Sequence, residues 1–73
     1  MKLEFQVKLK QVLENKGISQ KELAQKTGLR EATISELVNN TRSAYNKNHL
    51  LRIMEALNIS DLNELLEVRT RKI

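Results

Sequence analysis

The chain has 73 residues, no cysteine and one histidine, and its 13 basic side chains against 9 acidic ones give a net charge of +4. That length fits a single small domain over residues 1–73, and the composition excludes disulfides, thiolate metal ligands and a metal site built on His49 alone. With no nucleophile beside a matching base, no glycine-rich phosphate loop, no cofactor or metal implied and no apolar run of membrane-spanning length, the expectation is a cytoplasmic protein that is not an enzyme, whose basic balance favours a polyanionic partner.

Leu3, Phe5, Val7 and Leu9 alternate with Lys2, Glu4, Gln6, Lys8 and Lys10. This period of two predicts a short strand over Lys2–Val7. Leu9, Val12 and Leu13 then take helical spacing up to a stop at Asn15, Lys16 and Gly17. Next, Ser19 followed three residues later by Glu22 reads as a capping box, with Ile18 and Leu23 placed to close a hydrophobic staple. Leu23 and the small Ala24 face inward, and Gly28 suits the left-handed conformation that ends a helix. Ile34, Leu37 and Val38 make the apolar face of a second helix. Residues 19–39 are thus a helix, a tight turn and a helix.

Gln20, Ala24, Gly28, Ile34 and Leu37 together resemble the Cro-type repressor helix-turn-helix family, also called xenobiotic response element or lambda-repressor-like, from Leu9 to about Leu66. The resemblance implies a mostly α, compact five-helix DNA-binding domain. Its second motif helix, residues 31–39, would lie in the major groove while the first crosses the backbone above it. It further implies double-stranded DNA as partner, transcriptional regulation as a repressor and a homodimer on a palindrome, with no small-molecule ligand. Relatives often carry arginine at the position of Leu13, joined to a glutamate at that of Val38. Both are apolar here, which reads as a compensated swap and predicts that the two side chains touch.

With Ile34 and Leu37 inward, the groove candidates are Arg30, Glu31, Ala32, Thr33, Ser35 and Glu36. Glutamate can accept from the cytosine amino group, arginine can take guanine in bidentate fashion, and Ala32 or the Thr33 methyl can meet a thymine methyl. For Glu31, interaction with the helix dipole stands equal to base contact. For Glu36, an ion pair with Arg30 or Arg42 does so.

The polar loop that follows offers turn-forming residues and charge, so Asn39, Asn40, Thr41, Arg42 and Lys47 are phosphate candidates, with Gln20 on the opposite side. Asn39 and Asn40 stand where the family has Asn-Gly, which assigns the left-handed turn to Asn40. Tyr45 reads as a core plug. Asn46 or Asn48 caps a helix whose buried stripe is Leu50, Ile53, Met54 and Leu57, leaving Lys47, His49 and Arg52 outside. Ser60 or Asp61 starts a last helix, with Asp61 and Glu64 as a second capping box ahead of Leu62, Leu65 and Leu66. In the tail Leu66, Val68 and Thr70 alternate with Glu67, Arg69 and Arg71. That pattern predicts a two-stranded ribbon with the N-terminal strand, apolar side over the helical core; the rival is strand pairing between molecules. A rival function keeps the fold as a protein-interaction module, an antitoxin or antirepressor, and the acidic residues of the second motif helix are its support.

Overall fold

The structure, a computed structural model, describes residues 2–42 and 44–71. Strand β1, Lys2–Val7, forms where the alternation predicts it and pairs antiparallel with β2, Leu66–Arg71, in a register running from Val7↔Leu66 to Lys2↔Arg71. Between the strands lie helices α1 (Leu9–Lys16), α2 (Gln20–Thr27), α3 (Glu31–Val38) and α4 (Lys47–Leu57). The first three have 8 residues each, a length that is marginal in isolation, so end-capping and packing must hold them.

Both ends of these helices show how. Gly17 at φ 67° turns the chain out of α1, and the Ile18 N–H donates back to the Leu13 carbonyl at 3.0 Å. Asn46 is the residue that caps α4, its Oδ1 accepting from the Asn48 and His49 N–H groups. Asn58 closes that helix at φ 56° and lets Ile59 donate to the Met54 carbonyl at 2.8 Å, which brings Ile59 into the core.

Leu9, Leu23, Ile34, Ile53, Leu57 and Leu65 are fully buried at the centre, one or more from every helix. Packing of α3 on α1 and α2, and of α2 on α4, brings them together. Leu13 and Val38 sit in this same cluster and line one hollow at its edge. Tyr45 is half-buried against the core, as are Val12, Ile18 and Leu50.

Two expectations about the C-terminal part need correction. The expected fifth helix is a single 3-10 turn, Leu62–Glu64, so the domain has four α-helices and a ribbon among its described residues. Asp61 does cap that turn, accepting from the Asn63 N–H at 2.9 Å, but Leu62 is half exposed and only Leu65 is fully buried. Pairing with β1 from Leu66 onward outweighs the local helical signal: six residue pairs of ladder replace what would be little more than one helical turn. The second correction concerns the ribbon's apolar side. Val7 is buried at its base, but Leu3, Phe5 and Val68 are 61%, 58% and 57% exposed. The ribbon does not fold back over the helices, in keeping with extents of 38 × 22 × 21 Å.

Candidate nucleic-acid interface

Helix α2 begins at Ser19, whose Oγ accepts from the Glu22 N–H at 3.1 Å. The reciprocal half of the capping box differs from expectation, because the Glu22 carboxylate receives the Ser19 hydroxyl and not its backbone N–H. At the far end Gly28 takes φ 73° and donates to the Ala24 carbonyl at 2.9 Å. A Cβ there would meet nothing within 4 Å, so glycine is needed for the backbone angle alone. Thr27 secures the turn from inside. It is buried, its hydroxyl donates to the Leu23 carbonyl at 2.8 Å, and the same oxygen accepts from the Leu29 N–H at 3.2 Å. One side chain thus fixes the direction in which the chain leaves α2 for α3, a role that sequence reading missed. The signal available was a threonine directly before the turn glycine.

On α3, burial of Ile34, Leu37 and Val38 turns the opposite side outward. Arg30, Glu31, Ala32 and Glu36 are exposed, while Thr33 and Ser35 are half-buried. All six groove candidates therefore lie at the leading turn or on the part of α3 that the core does not cover. Arg30 is the N-cap residue in extended conformation and offers no side-chain cap, in contrast to Ser19 on α2 and Asn46 on α4. Glu31 supplies negative charge to that first turn. Glu36 forms no salt bridge with Arg30 or Arg42 among the described residues.

The end of α3 changes the picture of the phosphate candidates. Asn40 takes φ 56°, the conformation assigned to it, and the Asn40 and Thr41 N–H groups donate to the carbonyls of Leu37 and Glu36 at 3.3 and 3.1 Å. The Asn39 N–H donates to the Ser35 carbonyl at 2.9 Å. These three amides close the helix and are not offered to an anion. The Thr41 hydroxyl also donates to Glu36, at 3.3 Å.

Asn40 is also engaged through its side chain. Its Oδ1 accepts from the Val7 N–H at 2.7 Å and its Nδ2 donates to the Val7 carbonyl at 3.1 Å. The carboxamide acts as a one-residue strand on the edge of β1 and ties the end of α3 to the base of the ribbon. Its place in the molecule is a joint between two elements.

Gln20 and Asn39 instead come together. Both line one hollow beside Ser19 and Val38, and Lys10 of α1 lines it too. Lys10 was not among the sequence candidates, although its place directly after inward-facing Leu9 marks it as outward. Of the others, Lys47 is exposed at the first turn of α4 and Arg42 is half-buried. The candidate residues therefore carry both signs, Lys10, Arg30, Arg42 and Lys47 against the carboxylates of Glu31 and Glu36.

The model of the Cro/C1-type HTH DNA-binding domain family matches residues 8–70. The chain belongs to this family. Neither the search of curated proteins nor that of solved structures finds a match. In this Cro/C1-type domain the matched span takes in all four helices, the 3-10 turn and most of β2, and leaves out β1. No helix among the described residues is long and apolar enough to cross a membrane.

Proposed function

We propose that this Cro/C1-type domain binds double-stranded DNA sequence-specifically and regulates transcription as a repressor in the cytoplasm, acting as a homodimer on paired half-sites. Residues 31–39 serve as the major-groove recognition helix. Arg30, Glu31, Ala32, Thr33, Ser35 and Glu36 face base edges, and Gln20, Asn39, Arg42 and Lys47, joined by Lys10, hold phosphates. The observation that carries this reading is the outward side of α3, where among the described residues Arg30, Glu31, Ala32 and Glu36 are exposed and Thr33 and Ser35 half-buried. The hollow that Gln20, Asn39 and Lys10 share, with Glu14 at its wall, supports a phosphate contact beside it.

The deciding experiment is fluorescence polarisation with random duplex over a salt series, followed by selection of bound sites from a random oligonucleotide pool. Salt-sensitive binding and an enriched half-site are expected. A second reading, an antitoxin or antirepressor that binds protein, draws on Glu31 and Glu36, two exposed carboxylates on α3. Absence of salt-sensitive DNA binding would favour it.

A further inference from the structure

Helix α3 and the ribbon are joined by one side chain. The Lys8 N–H donates to the Leu65 carbonyl at 2.7 Å, so the alternation of an antiparallel ladder turns the backbone groups of the preceding residue, Val7, away from β2. The Asn40 carboxamide takes both of them, accepting from the Val7 N–H at 2.7 Å and donating to the Val7 carbonyl at 3.1 Å. A pair of bonds sets an orientation as well as a distance. Both ends of the joint are themselves held. Val7 is 4% exposed and belongs to the core cluster, and the Asn40 N–H donates to the Leu37 carbonyl at 3.3 Å, so the carboxamide moves with the last turn of α3. The other end of α3 has no such hold, because Arg30 supplies no side-chain cap. Val7 also lies outside residues 8–70, so the span matched by the family model does not contain the anchor.

We infer that Asn40 is a positioning residue for DNA reading: by way of Val7 it uses the ribbon to set the direction in which α3 presents Ser35, Glu36 and Asn39. It contacts no base in this role. These three residues lie within five positions of Asn40, so a change in the direction of the last turn displaces them directly. Ile34 and Leu37 still dock the helix when the joint is cut, because both are buried in the core. What is lost is the fixed placing, to about 0.5 Å, that a recognition site requires. Attraction to phosphates depends on charge and survives small displacements. Cutting the joint therefore lowers discrimination between sequences and spares affinity for duplex in general. The inference rests on the role proposed for α3 above and adds what holds its reading residues in place.

The test is competition fluorescence polarisation with the full chain, comparing the selected site with random duplex. Asn40→Gly keeps the left-handed turn and removes the carboxamide. Its preference for the selected site over random duplex should fall by roughly tenfold, with affinity for random duplex and its salt dependence unchanged. Val7→Pro removes the N–H that points away from β2, which costs the ladder no bond, and should lower the preference in the same direction. The double variant should lose no more than Asn40→Gly alone, since both substitutions cut one joint. Ile53→Val loosens the core within α4 and is the control; its preference should stay that of the parent. Circular dichroism at 222 nm over a temperature series fixes an assay temperature at which every variant is folded. An unchanged preference in Asn40→Gly, an additive loss in the double variant, or an equal loss from Ile53→Val would each overturn the inference. So would an equal loss on selected and random duplex, which would make Asn40 a phosphate contact. A parent chain without salt-sensitive binding overturns the role of α3 itself and this inference with it, an outcome distinct from the others.

Discussion

The helix pair α2–α3 and the ribbon β1–β2 treat their apolar side chains in opposite ways. In the helix pair Leu23, Ile34 and Leu37 are at most 2% exposed, and what remains outside is polar or short. In the ribbon Leu3, Phe5 and Val68 lie outside, although the same alternation buries Val7 a few residues along the strand. The difference teaches what each surface is suited to meet. A polar face gains little by burial against hydrocarbon and suits a hydrated polyanion, whereas an apolar strip along a strand edge suits another polypeptide.

The largest effect that would sharpen this contrast is Ile34→Ala, which should cost about 2–5 kcal/mol in chemical denaturation through cavity formation. Asn40 comes next. Asn40→Gly keeps the left-handed turn but loses both bonds to Val7, and a cost of about 1–3 kcal/mol is expected. If glycine proved neutral, the turn alone would be what this position provides. Glu36→Ala should change preference at one base pair by roughly 1–3 kcal/mol in a competition assay; a uniform gain over all sequences would instead mark the carboxylate as repelling phosphate. Arg42→Ala should weaken binding to every sequence alike and flatten the salt dependence by about one unit of slope, as loss of one phosphate contact does. The smallest effect belongs to Phe5→Ser, with less than about 0.5 kcal/mol expected for the isolated subunit. A loss as large as that of Ile34→Ala would break the contrast, because it would show Phe5 acting within the core.

Local signals were legible and long-range ones were not. Ser19, Gly17, Gly28 and the left-handed Asn40 could be read because each acts on a backbone group within a few residues of itself. Strand β1 and its pairing with the tail could be read because both ends alternate with a period of two. The bond from Asn40 to Val7 spans 33 residues and leaves no trace in either neighbourhood. The expected fifth helix failed for a related reason: Asp61 and Glu64 gave a genuine local start, and pairing of the tail with the other end of the chain overrode it. Periodicity gave the side of the ribbon on which Leu3 and Phe5 lie, but not whether that side meets the helices. At the candidate interface the outward residues of α3 followed from the inward ones. Engagement of the Asn39, Asn40 and Thr41 amides depends on the shape of the turn, which composition does not carry.

Seen from β1, the Asn40 carboxamide replaces a missing neighbour, and this has a kinetic consequence. The Val7 amide sits on a strand edge where solvent deuterium would ordinarily be taken up fast, yet its proton is held by a side chain anchored at the end of α3. Its isotope exchange should therefore follow unwinding of the last turn of α3 more closely than fraying of the ribbon tip. The base of the ribbon and the end of α3 then open in one event, as a single cooperative unit.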